Sequence, residues 1–145
     1  RSALALNDSA SAKLYYTQVT AEIKGEAQAE SNYYLAHFEY VQSKYEASNE
    51  RIFWMIDNLP TYPQWRWKSL LLMAKNYAGL QDDFQANYTL DYIIDNAEGA
   101  IVGEAQQFKS DLARRRAAEE AQAQISDTLE VAPTEMEELE ELDQE

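Results

Sequence analysis

An all-α fold is predicted, assembled from antiparallel helical hairpins that repeat. Glycine and proline number only 4 and 3 in 145 residues, too few for a fold of many tight β-turns. Ala, Glu, Gln and Leu, which lose little on entering a helix, are plentiful instead. Large apolar residues recur at spacings of three and four, and no window sustains a period-two alternation, so strands are not expected. Residues 29–60 also lie over residues 67–98 at a constant offset of 38 with no gap, which unrelated helix pairs seldom do.

Taken in order, residues 1–8 read as a lead-in. A first helix from Ser9 to Ile23 starts at an Asp8 or Ser9 N-cap, aligns Ala12, Tyr15, Tyr16 and Val19 on one stripe and stops at Gly25. A second, from about Glu26 to Gln42, carries the wide stripe Tyr34, Leu35, Phe38 and Val41. After a turn at Ser43-Lys44, a third runs from Tyr45 to Asn58 with Ile52, Phe53, Met55, Ile56 and Leu59 at its apolar end. Pro60 and Pro63 bracket a loop, and Pro63 suits the first turn of a fourth helix, where its missing N–H costs nothing. That helix reaches about Ala78 through Trp67, Leu70, Leu71, Met73, Ala74 and Tyr77. Gly79 to Asp82 turns the chain into a fifth helix, about Asp83 to Asn96, with Ala86, Leu90, Ile93 and Ile94 inward and Glu98-Gly99 as its stop. A sixth begins near Ala100 on the stripe Ile101, Ala105, Phe108 and Leu112. Beyond it, Arg114-Arg115-Arg116 and an Ala/Glu/Gln run offer nothing large to bury. This helix is expected to end at 124 and to be followed by an acidic tail at 125–145.

Within the duplication Leu35-Ala36 falls on Met73-Ala74, Ser48 on Ala86, Ile52 on Leu90, and Met55-Ile56-Asp57-Asn58 on Ile93-Ile94-Asp95-Asn96. The succession resembles the tetratricopeptide repeat. That motif sets a large apolar residue beside a small one in its first helix, a small and then a large apolar residue in its second, and a proline after it, here Pro60. Small residues let two helices approach, while large ones fill the groove between neighbouring hairpins. Glu39 departs from the pattern, standing where an aromatic is preferred, and Glu98 stands where a second proline would be. The 38-residue period exceeds the usual ~34, and the Thr61-to-Trp65 linker absorbs the difference. The resemblance implies a right-handed α-solenoid with a half repeat at 9–25, units at about 29–60 and 67–98, and a C-terminal capping helix at 100–124. The phrases Tyr34-Leu35-Ala36 and Ile93-Ile94-Asp95-Asn96 are similar to the C-terminal ends of long tetratricopeptide-repeat proteins of Bacteroidetes-type bacteria. That likeness, with a start at Arg1 rather than Met, leads us to expect a piece of a longer chain in the periplasm or cell envelope of a Gram-negative cell.

The net charge of -14 is uneven: residues 126–145 hold nine of the 26 acids and no base, which leaves 17 acids against 12 bases before them. Such a balance repels a nucleic-acid backbone and an anionic membrane surface, so neither is expected as a partner. No apolar run approaches the ~20 residues that span a bilayer. Without cysteine, a disulfide scaffold, a thiolate metal site and a cysteine nucleophile are excluded. The sole histidine, His37, has no Asp or Glu at metal-ligand spacing. No serine sits in a Gly-x-Ser-x-Gly elbow, and no Gly-x-x-x-x-Gly-Lys or Gly-x-Gly-x-x-Gly loop is present. Paired carboxylates lie in the tail or on exposed faces, where charge runs are usually solvated. No catalysis, metal or cofactor is expected.

In the family resembled, the first helix of each unit lines a concave surface that holds peptides or helices. By position that surface takes Tyr33, His37, Tyr40 and Val41 from one unit and Lys68, Leu71 and Lys75 from the next, aromatic at one end and basic at the other. The residue pattern of the family's carboxylate-clamp subclass is not reproduced. His37 alone reads as a partly exposed surface side chain; the family's geometry turns it into the groove between Tyr33 and Tyr40. Trp54 and Trp67 are expected in the core. Trp65, just after the loop, is expected to be exposed and available to a partner. Arg115 and Arg116 are placed to pair at i,i+4 with Glu119 and Glu120, with the acidic tail as a further contact. In the tail, Met136, Leu139 and Leu142 would form a short amphipathic face. The reading is a non-enzymatic scaffold that binds a protein partner. The alternatives are a homotypic module joined through its tail or capping helix, and an accessory domain of an enzyme with no chemistry of its own.

Overall fold

The computed structural model describes residues 9–22 and 25–143, with side chains at 9–17 and 25–129. The lead-in at 1–8, the side chain of Val19 and those of Met136, Leu139 and Leu142 lie outside the described residues. Among the described residues there are six α-helices and no strand: α1 (Ser9–Glu22), α2 (Glu26–Val41), α3 (Tyr45–Asn58), α4 (Pro63–Gly79), α5 (Asp83–Asn96) and α6 (Ala100–Asp143). The chain divides into two compact units, Arg1–Gln107 and Phe108–Glu145.

Local chemistry sets the helix starts. Gly25, at φ 100, is left-handed, and its carbonyl accepts from the N–H groups of Gln28 and Ala29 at 3.1 and 3.2 Å, closing the first turn of α2. Pro63 opens α4 after an extended Tyr62. Asp82 caps α5, its side chain accepting from the N–H of Gln85 at 3.1 Å.

The hairpins α2–α3 and α4–α5 share their turn geometry. Their turns match at an offset of 38: Gln42 and Leu80 have φ/ψ of -84/8 and -83/4, and Lys44 and Asp82 have -90/64 and -98/74. Between them Ser43 and Gln81 are both left-handed, at φ 60 and 62. The Lys44 N–H donates to the Glu39 carbonyl at 2.8 Å, and the Asp82 N–H to the Tyr77 carbonyl at 2.9 Å. The cores match too, with Ala36, Ser48 and Ile52 buried in one hairpin and Ala74, Ala86 and Leu90 in the other.

In the first unit each helix from α1 to α4 packs on the next, and α2 also packs on α4. With α2, α3 and α5 around it, α4 buries an unbroken run from Ser69 to Ala74. Gly79 ends it without a side chain because the ring of Tyr45 occupies that space; a Cβ there would come within 2.5 Å of the ring. A buried polar chain ties three helices. The Ser48 hydroxyl donates to the Ala36 carbonyl at 2.7 Å, and Asn76 Nδ2 donates to Ser48 Oγ at 2.8 Å and Asn49 Oδ1 at 2.9 Å. Glu39 is buried, and Arg51 of α3 reaches its Oε1 at 2.6 and 2.9 Å. The acid at the motif's aromatic position is thus half of an ion pair across the hairpin.

Several expectations need correction. Tyr15 and Phe53 are exposed, since α1 buries Ala12 and Tyr16, four apart, and α3 buries Ser48, Ile52 and Met55. Val41 is exposed because it is the last residue of α2, where the chain turns away. The sixth helix does not end at 124 but continues to Asp143. Residues 113–129 contain no glycine or proline, so helical propensity carries it past Leu112, the last buried residue among those described. The arginine cluster makes its described contacts within that helix. Arg114 pairs with Asp111, Arg116 with Glu119 at 3.1 Å, and the Arg115 guanidinium lies 5.5 Å from the Phe108 ring centre. Both of these ion pairs join residues three apart.

Candidate protein-binding groove

Spacing on α2 puts Tyr33, His37 and Tyr40 at i, i+4 and i+7, one face of a helix. Their rings form a half-buried ladder, with centres 6.3 Å apart from Tyr33 to His37 and 6.2 Å from His37 to Tyr40. The ladder continues to Tyr45 at 5.9 Å and, through Tyr34, to Tyr16. The packing of α2 on α4 brings the second set of residues alongside. Tyr33 lies 5.8 Å from Trp65, and the ammonium of Lys68 sits 4.8 Å over the same indole.

The electrostatics follow from this crowding. Burial, and then the nearby Lys75, hold His37 below the ordinary histidine value of 6.5, so its ring is neutral near pH 7. Burial, then Tyr34 and then Glu104, raise the Tyr33 phenol. The ladder therefore presents uncharged rings, with lysine on its α4 flank and Glu104, from the start of α6, near Tyr33. Such a face can stack on and hydrogen-bond to another chain.

Of the eight residues singled out, seven by family position and Trp65 by its place after the loop, the structure lines up Tyr33, His37 and Tyr40 on α2, with Lys75 of α4 near His37 and Lys68 over the Trp65 ring that Tyr33 meets. Val41 lies exposed at the end of the ladder's helix. Leu71 is buried and belongs to the core beneath. Trp65 is a correction: it is only 3% exposed and packs with Ala29 and Met55. The signal was present, because Pro63 starts a helix, and Trp65 then shares a face with Ser69 and Leu72, both buried. Trp54, expected in the core, is 45% exposed, since it lies off the Ser48–Ile52–Met55 stripe. Trp67 is half-buried, 5.8 Å from Tyr92. Sequence reasoning missed Glu104, whose link to Tyr33 depends on tertiary packing alone.

Among the described residues no three His, Cys, Asp or Glu side chains gather as metal ligands, and no helix is long and apolar enough to cross a membrane. Compared with family models, with curated proteins and with solved structures, the chain matches none.

Proposed function

We propose that this chain is a non-enzymatic binding module of the tetratricopeptide type, holding a segment of a partner protein along α2 and α4. The observation that carries this reading is the Tyr33–His37–Tyr40 ladder lying against the Lys68 and Lys75 helix. It joins flat apolar area with cationic donors on a surface built from the first helices of two equivalent hairpins. The equal turns and the α2–α4 contact support a repeat stack, in which each hairpin sets the next at a fixed angle. Aromatic rings offer large contact area at a low cost in conformational entropy, which makes them anchors in protein interfaces. The likeness of its phrases to Bacteroidetes-type chains supports an envelope-associated assembly as its setting.

Selection of displayed peptides against the chain tests this. Peptides enriched on the wild type should lose at least tenfold in affinity for the Tyr33→Ala/Tyr40→Ala variant. Equal enrichment on both would sink the groove.

A second reading, self-association through α6, draws on Ile125 and Leu129, exposed and four residues apart on one helical face. Sedimentation equilibrium separates the two, since only self-association gives a mass that rises with concentration and falls back with Ile125→Ser/Leu129→Ser.

A further inference from the structure

A second surface lies on α5, apart from the groove residues. Phe84, Tyr88 and Tyr92 recur every four residues and are 76%, 67% and 42% exposed, while Ala86, Thr89, Leu90 and Ile93 of the same helix are buried. Eight residues of helix set these rings along a track of about 12 Å. Asp91 and Asp95 are exposed on the same helix. The track reaches α4 where Tyr92 meets Trp67, at the rim of an open cleft of about 610 Å³ lined in part by Glu98 and Glu104, with Lys68 also at its wall. From Asn76 to Phe108 the chain has six acids (Asp82, Asp83, Asp91, Asp95, Glu98, Glu104) and no lysine or arginine.

Exposed aromatic faces attract cations through their ring quadrupole, and carboxylates beside them add charge-assisted hydrogen bonds. Carboxylates exposed on this face oppose acidic partners by like-charge repulsion. We infer that the outer face of α5 is a docking surface for a lysine- or arginine-rich segment of a partner protein, gripped by Phe84, Tyr88 and Tyr92 and steered by Asp91 and Asp95. Its chemistry is the opposite of that of the groove, where lysines flank the rings. One module can therefore hold two segments of opposite charge.

The probe is a fluorescein-labelled nonapeptide of alternating arginine and serine, titrated by anisotropy against the full chain, with helicity of every variant checked by circular dichroism. Saturable binding is expected. Phe84→Ala/Tyr88→Ala, which changes no charge, should weaken it at least tenfold, and Asp91→Asn/Asp95→Asn should do the same. Glu119→Gln/Glu120→Gln removes as much charge elsewhere and should leave it within twofold. Wild-type affinity in the aromatic variant, or equal losses in the two charge variants, would show that the peptide reads only net charge and overturn the proposal. Absence of saturable binding would do so as well.

Discussion

Asn76 shows how much structure one side chain can organise. Its amide donates to Ser48 and Asn49, and Ser48 passes the connection on to the Ala36 carbonyl. Asn76→Ala should therefore cost about 2 kcal/mol in a urea melt, since it leaves buried polar groups unpaired; a change below about 0.5 kcal/mol would show the chain to be incidental. Glu39 and Arg51 make a second test. Arg51→Ala strands a buried carboxylate and should destabilise by about 2 kcal/mol, less than the ~3–5 of a fully buried pair because Arg51 is partly exposed. The second hairpin has Tyr77 and Thr89 at these positions. Glu39→Tyr/Arg51→Thr, which copies them, should be near neutral or stabilising, and a loss as large as that of Arg51→Ala would contradict the equivalence. His37 brings a pH dependence whose sign is fixed. Above its ordinary value of 6.5 the ring is neutral in both folded and unfolded chains and contributes no slope. As the pH falls below that value the unfolded chain takes up the proton first, so stability declines until the depressed folded-state value is passed. His37→Gln should flatten the fall that begins below pH 6.5; an unchanged slope would mean that the ring is not held neutral.

At the scale of elements, the turns offer the sharpest check. Ser43 and Gln81 hold left-handed backbone, which costs a side-chain-bearing residue roughly 1–2 kcal/mol. Ser43→Gly and Gln81→Gly should each raise stability by about 0.5–1 kcal/mol, the strain relief exceeding the entropy that glycine loses. Effects of opposite sign would mean that the two turns are not equivalent. The elements themselves were legible because helix-stopping residues and apolar periodicity agree: Tyr45–Asn58 was located from sequence to the residue, and the helix expected at about Asp83 to Asn96 has those bounds. The end of α6 was not, because an alanine- and glutamate-rich run has the same composition whether it forms a solvated helix or a tail. The facing of the aromatics was only half legible. Spacing ties Tyr33, His37 and Tyr40 together on α2, but amphipathic aromatics satisfy both a core and a surface, and neighbouring helices decide which. Trp65 and Trp54 exchanged their expected places for that reason.

On the scale of the molecule, the first unit joins two equivalent hairpins into a surface whose rings are uncharged and whose flank is cationic, on a chain of net charge -14. That combination favours a partner bringing apolar and acidic groups together, since an acidic chain is otherwise slow to meet another. Salt would act on it in two opposed ways, screening the contacts of Lys68 and Lys75 and the repulsion between acidic chains. The most direct test is site-specific photo-crosslinking in cells of the source organism, with benzoylphenylalanine placed at exposed Val41, at the end of the ladder's helix. The expected result is a discrete adduct with another protein that disappears when Tyr33 and Tyr40 are alanine. No adduct, or one that persists without the two rings, would contradict a partner held along α2 and α4.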